Sequence, residues 1–184
     1  MPTRSFRVLS ALIAASALLA MPIHPAPAAR AEGTEPGHPA PAATPAAFDQ
    51  LKALTGTWQA KTSDGKLAMK ASYEVYGNGT AVVETLSGMG ESPMVTVYYP
   101  DGSQVMLTHY CTMGNQPRMR TSDAGGGKQL SFGFVDATNM KSPDEAHMHA
   151  LKITFADRDH FSQEWTMKKD GKDIADTFTF ERTK

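Results

Sequence analysis

The chain has 184 residues, with 18 basic and 19 acidic side chains, a single cysteine and a mean hydropathy of −0.34. A charge balance this close to neutral gives no basic footprint for nucleic acid. A lone cysteine excludes an intrachain disulfide framework.

Residues 1–31 are expected to form an export signal. Arg4 and Arg7 supply a charged start, and residues 8–20 (VLSALIAASALLA) form an apolar run too short for a membrane span. Pro22, Pro25 and Pro27 end that run, and two small-x-small sites follow at residues 26–28 and 29–31. Cleavage is expected after Ala31, where no cysteine is present to carry a lipid. Removing this segment takes Arg4, Arg7 and Arg30 and no acid, leaving 15 basic against 19 acidic groups, a charge of −4 with histidine neutral. A negative mature chain argues against nucleic acid and anionic membrane surfaces as partners. The expectation is a periplasmic or secreted protein with no stable membrane anchor after signal cleavage. In that oxidising setting an exposed thiol is a liability, so Cys111 should be buried, metal-bound or redox-active.

Residues 32–47 (EGTEPGHPAPAATPAA) carry little apolar surface and read as a disordered, Pro/Ala-rich linker. Residues 48–184 are long enough for one domain with one core. A short helix opens it, since FDQLKALTG places Phe48, Leu51 and Leu54 on one face and stops at Gly56. Strands are expected over 57–62, 67–76, 80–87, 93–99, 103–111, 117–122, 128–136, 147–156, 160–168 and 172–183. Asn78-Gly79, Asp101-Gly102 and Asp170-Gly171 mark tight turns between them. The fold class is therefore all-β, an antiparallel up-and-down barrel of about ten strands with a short N-terminal helix, since closure removes exposed edges. A two-sheet sandwich is the alternative. The longest connection, 137–146, reads as a surface loop or a lid with a helical turn after Pro143.

Alternation along strands sorts side chains onto faces. It groups His147, His149, Leu151, Ile153 and Phe155 against Met148 and Ala150. It also groups Phe161, Gln163, Trp165 and Met167. Leu130, Phe132, Phe134 and Asp136 share a face, as do Val105, Leu107, His109 and Cys111. Each inward face is then apolar at one end and polar at the other, which suits an amphipathic cavity better than a filled core.

The helix followed by Gly56-Thr57-Trp58 resembles the start of lipocalin-like, calycin-type barrels. That resemblance implies a tryptophan at the closed end with a basic residue of the last strand, here Arg182, stacked across it. The order THYC…GNQPRM, FVDATN, HMH and QEW resembles an uncharacterised family of exported bacterial proteins with such a barrel, over about residues 48–184. It implies ligand binding by analogy with calycins and carries no catalytic residue.

Several chemistries are available. His147 and His149 are two apart on a strand, about 7 Å at the backbone, so both rings could meet one metal ion, with His109 or Asp136 as a third ligand. Cys111 with Met106, Met113, Met119 and Met148 offers soft ligands for Cu(I), but alternation sets Met106 and Met148 opposite His109 and His147. Arg118 either turns to the cavity mouth, where its fork binds an anionic head, or pairs with an outer-surface acid such as Asp123 or Glu164. Cys111 and His109 form an i, i+2 pair suited to nucleophilic catalysis if Asp136 or Asn139 orients the histidine. Some ten-stranded barrels hold haem through one histidine, but residues 172–183 contain none.

The leading reading is an exported binding barrel for a small amphipathic molecule. Its apolar part would lie among Phe132, Phe134, Leu151, Ile153, Phe155 and Trp165. Its polar head would meet a site drawn from His109, Cys111, Arg118, Asp136, His147 and His149. The alternative is a metal-dependent enzyme or metal carrier using His109, His147 and His149. These residues do not decide between binding and catalysis, and a filled structural barrel is a third reading.

Overall fold

The computed structural model describes residues 44–61, 66–88, 90, 92–122 and 127–183. Residues 1–43, which include the expected export signal and most of the expected linker, lie outside the described residues.

Helix α1 (Ala46–Ala53) starts two residues before Phe48, because Pro45 supplies the preceding turn and its carbonyl accepts the Phe48 N–H at 2.8 Å. Asp49 in its first turn and Lys52 in its last complement the helix dipole. Ala47, Phe48 and Leu51 are buried.

The ten strands are β1 (Gly56–Lys61), β2 (Leu67–Tyr76), β3 (Ala81–Gly88), β4 (Met94–Asp101), β5 (Gln104–Tyr110), β6 (Gln116–Thr121), β7 (Gln129–Thr138), β8 (His147–Phe155), β9 (His160–Lys169) and β10 (Lys172–Arg182). Each pairs antiparallel with its chain neighbours, and β1 pairs with β10, closing the barrel. The expected up-and-down barrel is therefore the fold, and the sandwich is not. The turns have the chemistry their sequences announce: Asn78 (φ 54°) and Asp170 (φ 52°) take the left-handed region where asparagine and aspartate are tolerated. The 137–146 connection holds a turn, with the Glu145 N–H on the Ser142 carbonyl at 3.2 Å, and no helix.

One end is filled. Trp58, Phe161 and Phe180 pack edge-on and stacked, with Trp58 to Phe161 at 4.7 Å and Phe161 to Phe180 at 5.0 Å between ring centroids. The Arg182 guanidinium lies 4.0 Å above the Trp58 ring, as the resemblance implied, and donates to the Thr55 carbonyl at 2.8 Å and the Ala53 carbonyl at 3.1 Å. It thereby satisfies a carbonyl at the helix C-terminus. Gly56 sits beneath it at φ 122°, and a Cβ there would meet Arg182 Nη1 at 3.0 Å. That explains the glycine of the Gly-Thr-Trp opening.

Among the described residues three register shifts break the alternation; one falls between Ala60 and Lys61 on β1, and the other two bear on the expected site residues. β6 and β7 shift register between Arg118 and Met119, so Arg118 faces Asp136 while Met119 faces Phe134, and Val135 is the extra residue. β8 and β9 shift between Met148 and Ala150, so Met148 faces Met167 and His149 is the extra residue. Beyond a bulge every side chain changes face.

Candidate functional site

The barrel interior changes character between its ends. Val82, Leu107, Leu130, Phe132, Leu151 and Ile153 fill the helix-bearing part and are buried. Midway lies a row of polar side chains on four adjacent strands. Tyr73 pairs with Glu84, Glu84 with Thr96, and Thr96 with His109. Glu84 is fully buried. It accepts from the Tyr73 hydroxyl at 2.8 Å, the Tyr98 hydroxyl at 2.7 Å and Gln163 Nε2 at 2.6 Å. Trp165 Nε1 donates to Gln163 Oε1 at 3.0 Å, which extends the network across the barrel. Burial pushes the Glu84 carboxyl above its usual value, against the opposing pull of donors from Tyr98, Gln163, Tyr73 and Thr96.

His109 ends this row. It is 2% exposed, its ring centroid lies 4.6 Å from Trp165, and its Nδ1 is 2.8 Å from Thr96 Oγ1. Burial lowers its pKa from 6.5 to about 4, so the ring is neutral at pH 7. The Thr96 hydroxyl has one proton, and Glu84 draws on it. Thr96 therefore accepts from Nδ1–H, which leaves a bare lone pair on Nε2. That Nε2 is buried and has no hydrogen-bond partner.

His109 lines a pocket of about 240 Å³ at the end opposite α1. β4 and β5 contribute Met94 and His109, and the loop after β5 contributes Cys111 and Met113. β8 and β9 contribute Met148, Trp165 and Met167 from across the barrel. Met69, Leu86 and Phe178 complete the apolar wall, and Asp176 is the only fully charged side chain of the lining. Asp176 is exposed. β10 pairs with β1 only through Phe180–Arg182 among the described residues, so residues 172–179 have β9 alone as a partner.

The structure brings together three of the expected site residues, His109, Cys111 and Trp165, and separates the others. Arg118 and Asp136 do not reach the pocket. They face each other across β6 and β7, Nε to Oδ1 at 2.6 Å with a second bond from Nη2 to Oδ2, and each is nearly half exposed. The bulge at Val135 removes Asp136 from the inward phase of Phe132, and Arg118 is held by Asp136 rather than by Glu164, while Asp123 lies outside the described residues. Glu164 pairs with Lys152 at 2.6 Å.

His147 and His149 also lie outside the lining. His147 Nε2 is 3.1 Å from His149 Nδ1, His147 Nδ1 bonds the Glu145 carbonyl at 2.7 Å, and Phe134 stacks on His149 at 5.0 Å. Desolvation, then Lys168 and His147, lower the His149 pKa. The expected triad of His109, His147 and His149 does not assemble, and no group of three or more His, Cys, Asp or Glu side chains among the described residues is arranged to hold a metal. The bulge at His149 is the reason: it turns Met148 into the pocket wall, the reverse of the face that alternation assigned. Of the expected apolar lining only Trp165 is present, because Phe132, Leu151 and Ile153 belong to the filled core. The expected Cys–His pair is not formed either, since His109 Nε2 has no hydrogen-bonding neighbour.

Sequence reasoning missed Glu84, Thr96, Tyr73 and Tyr98. One signal was available: Glu84 falls in the inward phase of Val82 and Leu86, where a carboxylate needs several donors.

No family model and no curated protein matches the sequence. Among solved structures, the barrel is similar to the crystal structure of Rv2717c from M. tuberculosis, with a TM-score of 0.51 and 13% identity, covering 77% of this chain and 99% of that one. At that identity the likeness concerns the fold alone.

Proposed function

We propose that this protein is an exported binding barrel. It takes a small, largely apolar molecule carrying one hydrogen-bond donor into the pocket at the open end. The observation that supports this reading is His109 Nε2, a buried neutral acceptor without a partner beside a mostly apolar pocket. A buried polar atom left unpaired costs about 1–3 kcal/mol, which a ligand donor recovers on binding. Trp165 and the methionines supply an apolar, adaptable wall.

The electrostatics narrow the ligand class. Arg118 is neutralised by Asp136, His109 is uncharged at pH 7, and Asp176 is negative at the mouth. The head group is therefore neutral or cationic, and a carboxylate head is disfavoured. Export rests on the N-terminal sequence pattern alone.

The test is titration with 1-naphthol, a flat neutral donor, read by Trp165 fluorescence. Native mass spectrometry of protein purified from its own source runs alongside. Saturable binding that is weakened in His109→Phe, with little binding of a medium-chain fatty acid, is the expected result. A protein that carries no organic mass and ignores naphthol would end this reading.

A further inference from the structure

We propose that the open end of the barrel is also a soft-metal site, binding one Cu(I) through His109 Nε2, the Cys111 thiolate and thioethers of the pocket wall. Five of the lining residues are methionines: Met69, Met94, Met113, Met148 and Met167. Methionine commonly fills irregular apolar space, but these five surround a void. Thioether, thiolate and imidazole together are a donor set that favours Cu(I) over hard cations.

The positions converge at one rim. Val95 pairs with Tyr110, which brings Met94 at the start of β4 to the same rim as Cys111, the first residue after β5. Cys111 is a free thiol whose sulfur accepts the Met113 N–H at 3.5 Å, so Met113 is held close to it. His109 is two residues from Cys111 and in the same lining, and its buried Nε2 has no partner. Met148 and Met167 face each other on the opposite wall. The long, unbranched methionine side chain lets a thioether move to a bound ion without backbone change. The exposed carboxylate of Asp176 at the mouth favours entry of a cation. On binding, copper replaces the thiol proton, which passes to water, and no oxidation state changes.

This inference goes beyond the organic-ligand reading: it shares His109 and the methionine wall with it, but adds the Cys111 thiolate and uses the sulfur atoms as metal ligands rather than as apolar surface. The test is anaerobic titration of the full chain against the Cu(I)–bicinchoninate complex, read as loss of the chelate colour. Transfer of one equivalent per chain is expected. That transfer should be lost in Cys111→Ser, weakened in Met113→Leu and Met94→Leu, and unchanged in Met140→Leu, which lies outside the lining. Retained naphthol binding in Cys111→Ser shows that the pocket is still folded. No transfer by the unaltered protein, or equal transfer by it and both the Cys111 and Met113 variants, overturns the metal site. If naphthol fails to bind while cysteine-dependent transfer succeeds, the organic-ligand reading falls and the metal site stands.

Discussion

The two ends of this barrel are built from the same ten strands and differ in how they satisfy their interior groups. At the helix-bearing end aromatic rings interlock, and Arg182 reaches the carbonyls that α1 leaves open. At the other end methionines line a pocket, and a buried imidazole nitrogen has no partner. The row through Tyr73, Glu84, Thr96 and His109 divides them. A barrel whose role was only to fold would gain by extending the first arrangement to both ends. The contrast separates stability from binding along one axis.

Four perturbations break or sharpen that contrast. The largest effect is expected at the filled end. Phe161→Ala should cost about 3–5 kcal/mol in urea unfolding. Met94→Ala in the pocket wall should cost less than about 1.5 kcal/mol, because part of its surface already faces open space. Equal costs would erase the difference between the ends. Next comes the dividing row. Glu84→Leu leaves the Tyr73 and Tyr98 hydroxyls without their acceptor, and a loss of about 3 kcal/mol is expected by thermal and chemical unfolding.

The third perturbation is pH. The folded pKa of His109 is about 4 against 6.5 for the free side chain, so as pH falls the unfolded chain takes up the proton first. The contribution is fully present above about pH 6.5 and is lost between there and about pH 4, on the order of 3 kcal/mol in all. Glu84, whose pKa is raised, gives the opposite slope, so the difference between the unaltered protein and His109→Phe isolates the imidazole. Parallel pH–stability curves for the two proteins would show that His109 is not held neutral. The smallest effect is expected on the outer wall. Arg118→Ala breaks a half-exposed, solvent-screened pair, so the urea midpoint should scarcely move and naphthol affinity should be unchanged.

Strand boundaries and closure were legible in the sequence because turn pairs such as Asp101-Gly102 and Asp170-Gly171 act locally. The Arg182 stack on Trp58 was legible through resemblance. Faces were legible only on strands that pair without a register shift at the residues concerned. At Val135 and His149 one extra residue reverses the phase, and neither residue announces itself as a bulge by type. That reversal moved Asp136 out of the interior and Met148 into the pocket wall. It also took His147 and His149 out of the site. β5 pairs with both neighbours without a register shift, which is why the inward placement of His109, and of Cys111 just after it, followed from alternation. Glu84 was visible as a carboxylate in an apolar phase, but its donors come from β2, β4 and β9, which only the folded register brings together.

The most direct test of the binding site is the protonation of one ring. Long-range proton–nitrogen NMR of His109 at pH 7 should show a protonated Nδ1 and a bare Nε2, with the Nε2 resonance moving as naphthol is added. A proton on Nε2, or a ring whose resonances do not respond to naphthol, would contradict the account.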